Sequence, residues 1–148
     1  MKGSLSILFV CAAFILCGVE FPLMKNGKAV SCIVLQKNAT PVEQHAADEL
    51  AKFLAKISNG ERPAIGTAPV KGKYPIYLEL TKDKRVKEEG LKLSADKKAL
   101  RIAGNTPVGV LYGVYEVLKR YGGILWLFPG KDGEYFKDYL LEVHLLKT

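Results

Sequence analysis

The sequence predicts an α+β fold of two layers, with two main helices packed on one mixed β-sheet in the order β-α-β-β-β-α-β. Three observations carry this expectation. A β-branched apolar run, AVSCIVLQ (Ala29 to Gln36), leads directly into a segment with helix start signals. A period-two strand, YPIYLEL, is followed by a hairpin pattern, LKLSADKKALRIAG. A second amphipathic stretch, NTPVGVLYGVYEVLKRYGG, comes next. With 148 residues, 49% of them hydrophobic, the chain has material for one core.

The first segment is read as an address rather than as part of that core. Lys2 precedes the apolar run Leu5 to Cys17, which has the length of a signal-peptide h-region and is shorter than a membrane span of about 20 residues. Residues 1–18 are therefore expected to be a signal peptide, and the mature protein secreted or periplasmic. A short uncleaved anchor is the alternative, and a lipoprotein anchored through Cys17 is disfavoured by Leu16, where a small residue is the norm. Cys11 and Cys17 leave with the leader, so Cys32 stands alone without a disulfide partner. Its apolar neighbours predict an inert, buried thiol rather than a nucleophile.

Ala29 to Gln36 lacks clean alternation, which predicts a strand buried on both faces. Thr40, Pro41 and Glu43 form a capping-box pattern, and the helix they start places Val42, Ala46, Leu50, Phe53, Leu54 and Ile57 on one side before Asn59-Gly60 ends it. Tyr74 to Leu80 alternates, with Ile76, Leu78 and Leu80 facing one way. The charged segment Lys82 to Gly90 is read as a short surface helix, and Leu91 to Gly104 as a hairpin turning at Asp96 to Lys98. Thr106 and Pro107 begin the second helix, whose apolar half (Val110, Leu111, Val114, Tyr115, Val117, Leu118, Tyr121) is expected to meet the sheet. The apolar run Ile124 to Phe128 follows it.

Gly109 and Gly113 lie four residues apart inside that second helix, near Glu116 and Arg120. Each costs about 1 kcal/mol against alanine, so a close neighbour is expected to justify them. The expected neighbour is the first helix or a separate domain, which makes Gly109, Tyr112, Gly113, Glu116 and Arg120 a candidate domain interface.

Composition excludes several chemistries. The formal charge of +7 permits an anionic partner, but the lysines are dispersed and no aromatic RNA-binding signature or helix-turn-helix accompanies them, so no nucleic acid is expected. The membrane enters only through the signal segment. His45 and His144 fit no metal spacing, and neither a G-x-S-x-G nor a phosphate loop occurs, so no metal and no cofactor are expected. Asp48 and Glu49 are adjacent on a polar helical face, with Lys52 as the expected partner of Asp48. In GNTPVG (Gly104 to Gly109), Pro107 removes a donor that an anion site would use, so capping is the better account.

The segments VEQHAADELAKFLAKISNGERPAI, YPIYLEL, LKLSADKKALRIAGNTPVGVLYGVYEVLKRYGG and LWLFPGKDGEY together resemble a known family. They are similar to the N-terminal accessory domain that precedes the catalytic barrel in α-glucuronidase-like and β-hexosaminidase-like glycoside hydrolases, most of all to the version before uncharacterised bacterial barrels. The most specific parts are AADEL, the strand end Leu100 to Gly104, Gly109 to Tyr115, and Trp126 to Gly130. Leu125 departs from the pattern, which often has arginine there, and so does the ending FKDYLLEVHLLKT.

The resemblance implies an α/β accessory domain over residues 28–136, a tail over 137–148 open to truncation, and catalytic carboxylates that belong to a barrel absent from this chain. A barrel alone needs about 250 residues. It implies no catalytic residue here, and a β/α barrel or a glycan as partner. The parent enzymes hydrolyse O-glycosyl bonds. The second function class is a stand-alone secreted binding module for carbohydrate or protein, with Tyr77, Tyr112 and Trp126 as candidate glycan-stacking rings.

Overall fold

The computed structural model describes residues 20–87, 89–136 and 142–146, with residues 20 and 142–146 described by their backbone. The expected leader, with Cys17, and residues 137–141 and 147–148 of the expected tail lie outside the described residues. The strands are β1 (Glu20–Lys25), β2 (Lys28–Ala29), β3 (Ser31–Leu35), β4 (Ala64–Gly66), β5 (Tyr74–Leu80), β6 (Leu91–Ala95), β7 (Leu100–Gly104), β8 (Ile124–Trp126), β9 (Glu134–Phe136) and β10 (Glu142–Leu146). The helices are α1 (Pro41–Ser58) and α2 (Pro107–Gly122).

Five strands form the main sheet in the order β4-β3-β5-β7-β6. Only β6 runs antiparallel to its neighbour, so the sheet is mixed, and with two helices on it the fold is the α+β arrangement expected. Register aligns Ile33 with Ile76, Leu78 with Ile102 and Ile102 with Leu93 on one face. That face joins Ala46, Leu50, Leu54, Val110, Val114 and Val117 of the helices in a single core. Side chains at period two on the strands and near period 3.6 on the helices meet there, which is why the two-layer form buries both stripes at once.

The start of α1 follows its local signals. Thr40 has extended backbone, its hydroxyl accepts from the Glu43 N–H, and the Glu43 carboxylate accepts from the Thr40 N–H at 2.9 Å, closing the capping box. Asn59 ends the helix in the left-handed conformation, with φ of 47°. Thr106 caps α2 by accepting from the Gly109 N–H.

Three features depart from expectation. First, the packed structure extends beyond residues 28–136. Phe21, Leu23 and Met24 of β1 are fully buried, and β1 pairs with both β2 and β10, so part of the expected tail forms a strand of the fold. Second, the described residues between Lys82 and Gly90 form turns rather than a helix. Asp83 accepts from the Arg85 backbone N–H and guanidinium and from the Lys92 ammonium, and this local bonding competes with helix formation. The Arg85 and Lys92 donors hold the Asp83 carboxyl well below the usual carboxylate range.

The third departure concerns the α2 glycines, which face the sheet rather than α1 or another domain. A Cβ on Gly113 would stand 2.5 Å from Ile102 Cγ2 on β7, and one on Gly109 would stand 2.7 Å from the Gly90 carbonyl oxygen and 3.3 Å from Gly104 Cα. Both glycines are buried. The apolar half is shared between the core and α1, and the close helix–helix approach comes at Gly122, where a Cβ would stand 3.1 Å from Ile57 Cδ1. The helical wheel gave the buried arc as about half of the circumference. In the fold α2 packs on the sheet beside α1 and touches both, so the glycine arc is buried too.

Cys32 on β3 is 1% exposed, and the Val70 N–H donates to its sulfur at 3.4 Å. Native labelling by a thiol reagent should therefore be limited by opening of the sheet and be far slower than in denaturant. Equal rates in the two conditions would contradict this burial.

Candidate functional site

A groove of about 600 Å³ lies where the β8–β9 hairpin meets the two helices. It is lined by Glu49 of α1, Tyr115 of α2, Trp126 to Lys131 and Glu134. A smaller cavity of about 300 Å³ adjoins the same two rings, Tyr115 and Trp126.

Local sequence explains the hairpin. Gly123 ends α2 with φ of 65°, which turns the chain into β8, and Ile124 enters the core while Leu125 points outward. Trp126 then falls on the inner side by alternation, and β8 pairs with β9 through Ile124 to Phe136 and Trp126 to Glu134. Beyond the pairing, the Leu127 N–H donates to the Gly133 carbonyl at 2.8 Å. Gly133 is required at the base of this turn, since a Cβ there would stand 1.9 Å from the Phe128 carbonyl oxygen.

Trp126 is held by edge-to-face contacts with Phe53 at 5.4 Å and Tyr115 at 5.1 Å between ring centroids. Phe136 tilts against Phe53 at 6.4 Å. The Tyr115 hydroxyl donates to Glu49 Oε2 at 3.3 Å. Burial raises the Tyr115 hydroxyl above its ordinary pKa, and the nearby Glu49 and Glu134 carboxylates add to the shift. Each carboxylate has its own cation: Lys52 lies 3.0 Å from Glu49, and Lys56 lies 2.5 Å from Glu134. Both carboxylate side chains are mostly covered, at 15% and 11% exposure. Fixed rings beside anchored hydrogen-bond acceptors are suited to recognition.

Around the groove, Leu125, Leu127, Phe128 and Tyr135 are exposed, with Leu127 the most open at 68%. A run of five apolar residues on a short hairpin cannot bury both alternating faces, and that signal in Ile124 to Phe128 points to this patch. Sequence reading missed Tyr115 and Glu134 as site residues because they converge only through the packing of α2 on α1 and the pairing of β9 with β8.

The expected site residues are scattered. Tyr77 sits on the opposite sheet face from the core, with the Arg101 guanidinium 4.5 Å above its ring, so this aromatic face is already covered. Tyr112 is exposed, and Glu116 pairs with Arg120 one turn on, an ordinary surface ion pair. Gly109 and Gly113 are filled from within the domain, so no outside partner can use them. Only Trp126 belongs to the groove. Asp48 pairs with Arg62 at 2.6 Å rather than with Lys52, which takes Glu49. Among the described residues no group of three or more His, Cys, Asp or Glu is arranged to hold a metal, and no helix is long and apolar enough to cross a membrane.

No curated protein matches the sequence significantly. Among solved structures, the chain is similar to a GH138 enzyme targeting pectin rhamnogalacturonan II, at 25% identity with a TM-score of 0.50 over 61% of this chain and 10% of that one. It also shares the fold of part of the GH20 β-N-acetylhexosaminidase from Streptomyces coelicolor A3(2), at 16% identity with a TM-score of 0.54, covering 86% of this chain and 23% of that one. The chain therefore spans a small part of each enzyme. The sequence model described as glycosyl hydrolase family 20, domain 2, matches residues 25–119, from the end of β1 through most of α2. The chain belongs to the family of glycosyl hydrolase family 20 domain 2, the accessory domain of these enzymes.

Proposed function

We propose that this chain is a non-catalytic N-terminal accessory domain of a secreted glycoside hydrolase and that it acts by packing against a catalytic β/α barrel. The observation that carries the reading is the family match over residues 25–119, joined to a fold that makes up only 23% of the hexosaminidase it resembles. The exposed apolar hairpin supports it, because Leu125, Leu127, Phe128 and Tyr135 form the kind of surface that a neighbouring domain covers. Export rests on Lys2 and the apolar run that follows, and the lipoprotein alternative through Cys17 stays less favoured because of Leu16.

Two measurements test the proposal. Mass spectrometry of the native protein should find residues 1–18 removed, and an intact Met1 terminus would sink the export reading. Co-expression with a glycoside-hydrolase barrel encoded beside it should give co-purification and a higher melting temperature for the barrel. The chain alone should leave a chromogenic N-acetylglucosaminide intact. Hydrolysis by the chain alone, or a barrel indifferent to its presence, would overturn the accessory reading.

A further inference from the structure

We propose that the groove between Tyr115, Trp126 and the Phe128–Lys131 turn is a binding subsite for a neutral saccharide. The groove shares Leu127 and Phe128 with the apolar hairpin surface assigned above to a docked barrel, so a sugar and a barrel would compete for this end of the hairpin. Its volume of about 600 Å³ lies within the range of about 300 to 1,000 Å³ typical of small-ligand sites. Its lining is amphipathic in the way a pyranose ring is. Trp126 and Tyr115 offer apolar ring surface for the C–H face of a sugar, while the Glu49 and Glu134 carboxylates offer acceptors for its hydroxyl donors. Lys131 adds a donor at the rim.

The alternatives fit less well. A purely apolar ligand would cover the lone pairs that Lys52 and Lys56 leave free on Glu49 and Glu134 and offer them no hydrogen bond in place of water, which is costly. An acidic sugar would bring its own carboxylate up against Glu49 and Glu134. A neutral sugar meets both demands, with each carboxylate already oriented by a lysine while retaining free lone pairs. The site is also preorganised: Phe53 and Tyr115 fix the Trp126 ring edge-to-face, so little side-chain entropy remains to be lost on binding.

Trp126 is the only tryptophan of the chain, so its fluorescence reports occupancy of the groove without labelling. Purified protein titrated with N,N′-diacetylchitobiose and with cellobiose should show a saturable emission change with a Kd of about 1 mM or tighter, and digalacturonate should bind at least tenfold more weakly. Glu49→Gln and Glu134→Gln should each weaken neutral-sugar binding several-fold in calorimetry while the protein stays folded by circular dichroism. Leu125→Ser, on the exposed side of the hairpin and outside the groove lining, should leave sugar binding unchanged. No saturable response to either neutral sugar at ten times that concentration overturns the proposal. So does binding that survives both glutamate substitutions, or an emission response that only a co-expressed barrel produces and Leu125→Ser abolishes, which would make the groove a domain seat.

Discussion

Phe53→Ala is expected to lower the stability of this domain by about 3 to 5 kcal/mol, the range for emptying a buried phenylalanine site. Phe53 is fully buried, and its ring meets the edge or face of Trp126 and Phe136 while Lys52 Nζ lies 4.5 Å from its centroid. Few neighbours can collapse into the space, because α1 is fixed on the sheet and the hairpin is fixed by its glycine turn. A domain of this size has roughly 5 to 15 kcal/mol in total, so the loss should appear as a large drop in the urea midpoint with little change in slope. Trp126 emission should shift at the same time in the folded variant, since its ring loses a contact. Phe128→Ala is the comparison: that ring is 54% exposed, and its removal should change stability by no more than about 0.5 kcal/mol. Equal effects at the two positions would mean that the hairpin does not pack as described.

The second large effect belongs to the glycines where α2 meets β7. Gly104→Ala should destabilise by about 3 kcal/mol or more, at the upper end for overpacking. A Cβ there would stand 2.4 Å from the Val110 amide nitrogen and 2.5 Å from the Gly109 carbonyl carbon, both backbone atoms, so no rotamer change relieves the clash and the helix must move off the strand. At Gly113 the obstruction is the Ile102 side chain, with Leu91 and Leu93 just beyond. Gly113→Leu sets a propensity gain approaching 1 kcal/mol against an overpacking loss of about 1 to 3, and the loss should win. Thermal unfolding of the isolated protein decides both cases, since the crowded neighbours are internal to the domain. A Gly113→Leu variant more stable than the parent would show that the sheet yields at this point.

The local signals were legible in sequence because each is satisfied within a few residues. The capping box at Thr40 and Glu43, the Asn59 stop, the alternation in Tyr74 to Leu80 and the hairpin turn at Asp96 to Lys98 all depend on neighbours along the chain, and the structure has each of them. The same alternation marks Leu125 and Leu127 as difficult to bury, although only the hairpin pairing identifies which side is covered.

By itself the sequence determined the fold class, the two helices with their caps, the inner residues of the main strands, and the resemblance to a glycoside-hydrolase accessory domain. Tertiary structure alone decided which side of α2 the glycines serve, because a helical wheel assigns an arc to burial without saying whether a strand or a helix fills it. It also decided that β1 and β10 complete the fold, since their pairing joins residues at opposite ends of the chain. The groove is of the same kind: Glu49, Tyr115, Trp126 and Glu134 lie on four different elements, and only the packing of α1 on α2 and the closure of β8 on β9 bring two rings and two carboxylates to one place.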